Sequence, residues 1–225
     1  MAFLPKAEKL TSDEKNIISS QRNSDVRLNY AREHPKIFRK EDIEKIKELK
    51  YSKNDDERFC YLLLVTGRRV IEIVTGIFKT IPGENNKISF IGQRKSKKNI
   101  NIGKKFTIVS LDNPKDVVSI INELQEKFNK DLLSRTVVEH GGVKKRPDNQ
   151  VANLLTIRLT RILKRLLPDQ SPAHENTTAR DLRKIYAALI MKYKPKNLGD
   201  NNWIEMNLGH ESLHVSLSYQ SVKIV

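Results

Sequence analysis

A mainly α-helical domain carrying a small β-hairpin or sheet is the fold that this sequence predicts, on three observations. Apolar residues recur at helical spacing through most of the chain beyond residue 40. Strict alternation is confined to two short segments, Lys87–Ile91 and Ile100–Ile102, with the basic run Gly92 to Lys98 between them, as in a hairpin. A hydrophobic content of 38% over 225 residues is enough for one good core or two small ones.

The elements follow in order. Residues 1–36 are polar with few large apolar groups and read as an arm or linker, closed by His34-Pro35, because the residue before a proline avoids helical geometry. Residues 37–225 form the main domain. Ile43, Ile46 and Leu49 define a short amphipathic helix from Lys40. Asp55 and Asp56 start a second, burying Phe59, Leu62, Leu63 and Val65, until Gly67 interrupts it. Val117 to Phe128 is a third helix, and Gly141 to Pro147 a basic loop. Val151 to Leu167 is the clearest amphipathic helix, with Val151, Leu155, Leu159, Ile162 and Leu166 on one side and Arg158, Arg161 and Arg165 on another. Thr178–Tyr193, Trp203–Leu208 and Leu213–Val222 complete the helical set. Cys60, the single cysteine, sits in the apolar run Phe59–Leu64 and reads as a buried structural thiol. Trp203 and Tyr186 read as core aromatics.

Charge narrows the partners. Lys and Arg number 42 against 27 Asp and Glu, a formal charge of +15, which favours a polyanion. No apolar run approaches a membrane span and no signal-peptide pattern opens the chain, so a cytoplasmic, nucleoid-associated protein is expected, or a nuclear one in a eukaryotic host. Phosphate contacts are expected from Arg68, Arg94, Lys97, Lys98, Lys144, Lys145, Arg146, Arg158, Arg161 and Arg165, although solvated surface charge is the commoner fate of a helical arginine stripe.

Four segments carry chemistry in chain order. Thr66-Gly67-Arg68-Arg69-Val70-Ile71-Glu72 and Arg180-Asp181-Leu182-Arg183 each set arginines on helical segments. Leu208-Gly209-His210 precedes Tyr219 by a histidine-to-tyrosine spacing of nine positions. Transfer of a phosphodiester to a phenol needs fixed cations on the non-bridging oxygens, an aligned nucleophile and a proton for the leaving 5′-hydroxyl. Arginine suits the first task, because its planar fork donates two parallel bonds and stays charged. A lysine on the hairpin suits the last, since crowding by arginines lowers its pKa. A covalent phosphotyrosine retains the bond energy, so no metal, nucleotide or other cofactor is expected.

In these segments the chain resembles the catalytic domain of the tyrosine recombinases, and among them most closely the telomere resolvases, or protelomerases. Gly67-Arg68-Arg69-x-x-Glu72 resembles the box of the first catalytic arginine, which implies Arg69 as that arginine and Glu72 as its supporting carboxylate. Arg183 matches the second arginine, His210 falls in the Leu-Gly-His box and Tyr219 takes the nucleophile position. Gly92-Gln93-Arg94-Lys95 resembles the hairpin of the catalytic lysine, implying Lys95 ahead of Lys97 or Lys98. Ordinary recombinases place histidine where this chain has Arg180; resolvases vary there, and the role of Arg180 stays open. Pro195 through Trp203 to Glu211 resembles the resolvase branch in particular. The large extra domains usual in resolvases are not seen, which implies a catalytic fragment or a minimal enzyme, of phage, viral or linear-plasmid origin. The implied activity is cleavage of an inverted-repeat telomere junction by a homodimer and resealing as hairpin ends; the alternative is integrase-like exchange between duplexes. A reading of another class comes from His210-Glu211-Ser212-Leu213-His214, which has the His-Glu-x-x-His spacing of a zinc protease. The eleven residues from Val215 to Val225 hold no histidine, cysteine or carboxylate to serve as a third ligand downstream, so no metal site is expected.

Overall fold

A computed structural model describes residues 35–93, 103–134, 137–139, 142–144, 148–167, 177–209 and 222–225, without the side chains of those between 129 and 151. Strand β1 (Lys36–Phe38) leads into helix α1 (Lys40–Glu48), whose start is fixed by the Arg39 amide donating to Asp42 at 3.2 Å. Ile43 and Ile46 face inward, as their spacing predicts, and a 3-10 turn, Leu49–Tyr51, ends the segment.

Helix α2 (Asp55–Thr66) is the hub. The Asn54 side chain accepts from the Asp56 amide at 2.9 Å, and Asp55, Asp56 and Glu57 oppose the positive end of the helix dipole. Every residue from Phe59 to Thr66 is buried, more than the one-sided burial the sequence pattern predicts, because other helices cover it on several sides. Those neighbours are α1, α4 (Pro114–Ser134), α5 (Asp148–Leu166) and α6 (Ala179–Leu189). Cys60 lies inside this layer, its thiol pushed up to about 12 by burial and then by Asp56 and Glu57. Helix α3 (Val70–Thr75) follows α2 after the break at Gly67.

Strands β2 (Ile77–Thr80), β3 (Lys87–Ile91) and β4 (Lys105–Val109) form an antiparallel sheet with β3 in the middle. Phe78, Phe90 and Phe106 sit in register across it, with ring centroids 4.9 and 6.3 Å apart. The strand that pairs with β3 beyond the basic run is Lys105–Val109. The expected one at 100–102 lies outside the described residues, but Phe106 and Ile108 continue its alternating phase. Four residues were too few for β2 to show a pattern in sequence.

Strands β5 (Val137–Glu139) and β6 (Gly142–Lys144) pair antiparallel where a loop was expected from 141. Helix α6 and the 3-10 turn Ile190–Tyr193 match the expected 178–193 helix, and α7 (Asp200–Leu208) begins three residues before Trp203. The expected helix to Val222 lies largely outside the described residues. Val222 itself opens strand β7 (Val222–Ile224), where β-branched Val222 and Ile224 suit an extended chain, and β7 runs parallel to β1. Lys36 thus belongs to a sheet and not to a polar arm. A second apolar cluster joins Val109, Tyr186, Ile190, Trp203, Ile204 and Leu208; within it the Tyr186 hydroxyl donates to Val109 O at 2.7 Å and the Trp203 indole to Ile190 O at 2.9 Å. None of the helices among the described residues is long and apolar enough to cross a membrane.

Candidate active site

Three arginines converge on one carboxylate. Gly67 ends α2 in the left-handed conformation (φ 61°), and a Cβ there would run into the Tyr186 ring, so glycine alone fits. The turn it makes sets Arg68 and Arg69 between α2 and α3. The arginines were expected on a helix; instead Arg69 is the N-cap residue of α3, and Glu72 one turn on accepts its backbone amide at 3.0 Å and its guanidinium at 2.6 Å. Arg183 reaches in from α6 to 3.6 Å from Glu72, and Arg68 lies at 3.9 Å. Burial alone would raise the Glu72 carboxyl. The fields of Arg68, Arg183 and Arg69, with the Arg69 amide, outweigh it and hold the group down to about 2.

The site keeps a net charge of two, three guanidinium groups against one carboxylate, in surroundings where Glu72 and Arg68 are 0% exposed at the side chain, Arg183 5% and Arg69 23%. An excess of guanidinium charge is chemically suited to an anion with several oxygens. Arg69 is its most accessible cation.

The C-terminus of α7 closes the back of the site. The last carbonyls of a helix lack intrahelical partners and carry the negative end of its dipole. Here Arg183 Nη2 donates to Leu208 O at 2.8 Å, Arg68 Nη2 donates to Asn207 O, and Gln93 Nε2 donates to Leu208 O and Gly209 O. Asn207 Oδ1 accepts the Val109 amide at 2.9 Å, which fastens this helix end to β4. Arg68 also lies over the Phe90 ring, 5.0 Å from its centroid. Burial pushes Arg68 down to about 10, so it remains charged at neutral pH.

Arg69, Glu72 and Arg183 are thus brought together. Arg68, expected on DNA, is instead buried 1% exposed, because the carbonyl of Asn207 and the amide of Gln93 draw it inward. Arg180 is exposed one turn before Arg183 on α6. The arginine stripe of α5 is on the surface, but Arg158 forks onto Asp56 at 2.7 and 2.6 Å and Arg165 meets Glu57 at 2.8 Å, so both are tied to the first turn of α2; Arg161 is exposed between them. Arg94, Lys95, Lys97, Lys98, Lys145, Arg146, His210, His214 and Tyr219 lie outside the described residues, as does the side chain of Lys144. The described ends Gln93 and Gly209 nevertheless meet, so the chain enters the Lys95 and His210 segments from one place. No local pattern marks Asn207, or Lys36, which pairs with buried Asp181 at 2.9 Å and ties β1 to α6.

The family model of the telomere resolvase ResT/TelK catalytic domain matches residues 33–221. The chain belongs to this family. As a telomere resolvase it is a DNA breaking–rejoining enzyme, and the zinc-protease reading falls. Comparison with curated protein sequences gave no match. Among solved structures, the fold matches protelomerase TelA covalently complexed with substrate DNA, with a TM-score of 0.77, 19% identity, and coverage of 96% of this chain and 68% of that one. An arginine-to-alanine variant of TelA complexed with a DNA hairpin product matches with a TM-score of 0.79 at 19% identity, with the same coverage of both chains. Protelomerase TelK complexed with substrate DNA matches with a TM-score of 0.74 at 21% identity, over 96% of this resolvase and 43% of TelK.

Proposed function

We propose that this telomere resolvase cleaves duplex DNA at inverted-repeat telomere junctions and reseals each end as a covalently closed hairpin. Tyr219 is the nucleophile. Its phenolic oxygen attacks phosphorus and releases its proton to water, the bond to the 5′-oxygen breaks, and a 3′-phosphotyrosyl link forms. Arg69 and Arg183 hold the non-bridging oxygens and offset the charge that grows on them, each contributing on the order of 3 kcal/mol to transition-state stabilisation. Glu72 orients both guanidinium groups, His210 completes the phosphate site, and Lys95 supplies the proton to the leaving 5′-oxygen. The freed 5′-hydroxyl of the opposite strand then attacks the phosphotyrosine, releases the phenol and closes the hairpin.

The cluster of Arg68, Arg69 and Arg183 on Glu72, with two positive charges in excess, carries this reading. Two subunits on an inverted repeat supply one tyrosine to each strand, so a homodimer on DNA is part of the proposal, and the enzyme acts wherever its DNA resides. The test is Tyr219→Phe. It should bind substrate DNA within about threefold of wild type and form no protein–DNA adduct on a denaturing gel. An adduct that persists in the variant moves the nucleophile elsewhere.

A further inference from the structure

We propose that Gln93 is a positioning residue that fixes the entry to Lys95 and the entry to His210 against each other; the proposal rests on the roles given above to those two residues. Gln93 is 2% exposed although it opens the most basic run of the chain. Its amide is used on both sides. Oε1 accepts from Arg68 Nη1 at 3.2 Å, while Nε2 donates to Leu208 O at 3.3 Å and to Gly209 O at 2.5 Å. The orientation of the amide is settled by its partners, because a guanidinium only donates and a carbonyl only accepts.

One side chain therefore joins the end of β3, the C-terminus of α7 and the arginine cluster. Lys95 follows Gln93 by two residues and His210 follows Gly209 by one. A Cα lies about 3.8 Å from the next across a planar peptide, so fixing Gln93 and Gly209 fixes the points from which the chain departs towards Lys95 and His210. Gly209 has a φ of +67°, and a Cβ there would collide with the Gln93 amide, so the close approach depends on both residues. Space-filling alone does not account for this choice. Glutamate would aim a carboxylate at two carbonyl oxygens, and methionine of similar length would take one donor from Leu208 O and from Gly209 O and one acceptor from Arg68.

The consequence is a specific kinetic signature. Misplacement of a catalytic group by about 1 Å costs roughly 10- to 100-fold in rate. If Gln93 aligns the proton donor, the loss must depend on whether the leaving group needs a proton. Q93M and Q93E are compared with wild type in single-turnover cleavage of duplex DNA bearing an ordinary 5′-oxygen or a 5′-sulfur at the scissile phosphate. Expected are slowing of at least ~10-fold on the oxygen substrate and a loss at least ~3-fold smaller on the sulfur substrate, where only the His210 share remains, with DNA affinity within ~3-fold of wild type. Equal slowing on both substrates, or none on either, overturns the proposal. Q93E keeps an acceptor for Arg68 and serves should Q93M fail to fold. Hydrogen exchange on the full chain without DNA gives an answer independent of activity. Q93M or Q93E should expose the peptides covering β3 and the end of α7 together; loss in one alone, or in neither, overturns the coupling. A wild-type protein that forms no DNA adduct instead counts against the roles of Lys95 and Tyr219, and the exchange result still decides Gln93.

Discussion

Replacing Glu72 by glutamine removes the single negative charge among three cations, two of them buried, while leaving the side-chain shape. Arg69 at 2.6 Å, Arg183 at 3.6 Å and Arg68 at 3.9 Å would then face one another across a neutral amide, one of whose ends can only donate. Breaking a buried charge pair by removing one partner costs about 3–5 kcal/mol. The fall of the carboxyl from an ordinary 4.5 to about 2 corresponds to about 3 kcal/mol, in the same range. For a chain of this size that amounts to a drop in Tm of roughly 6–20 °C. The pH dependence has a defined sign. A carboxyl whose folded pKa is depressed contributes fully above its unfolded value, and the contribution is lost as pH falls from about 4.5 towards 2. The assay is urea denaturation of both proteins between pH 7 and pH 2.5. The stability gap should be widest at neutral pH and narrow through the acid limb. A gap below about 1 kcal/mol at pH 7, or one that does not change with pH, would show that Glu72 does not hold the arginines together.

The two arginines should separate by burial: Arg69→Ala and Arg183→Ala each slow adduct formation at least ~100-fold, but only Arg183→Ala, which also strips Leu208 O of a donor, costs several kcal/mol of stability by denaturant titration. Lys36→Met removes the 2.9 Å bond to buried Asp181, whose carboxyl lies low because Lys36 and the Thr178 amide overcome the effect of burial. A loss of about 1–3 kcal/mol at pH 7, shrinking as pH falls below the ordinary carboxylate range, is expected from denaturation curves.

Helix α2 was legible because its apolar spacing agrees with an acidic start at Asp55 and Asp56 and a break at Gly67. The sheet was half legible, since Lys87–Ile91 alternates clearly while Ile77–Thr80 is too short to do so. The destination of a buried polar side chain is set by groups far away in sequence. Arg68 and Arg69 are neighbours of one type, yet the first turns in to Asn207 and Gln93 and the second to Glu72 and the surface. Likewise, no local pattern foretells that Arg158 and Arg165 meet Asp56 and Glu57 about a hundred residues earlier, or that Val222 pairs with Lys36. Periodicity reads which face is buried; it does not read which partner a charge will find.

Hairpin formation itself is tested most directly on a linear duplex carrying an inverted repeat, incubated with the wild-type protein in excess EDTA without nucleotide and then heat-denatured. Cleavage and closure on opposite strands should yield two ends that snap back on cooling and resist exonuclease, because each strand is now continuous with its complement. Exchange of arms between two differently labelled duplexes, with no snap-back species, would contradict telomere resolution.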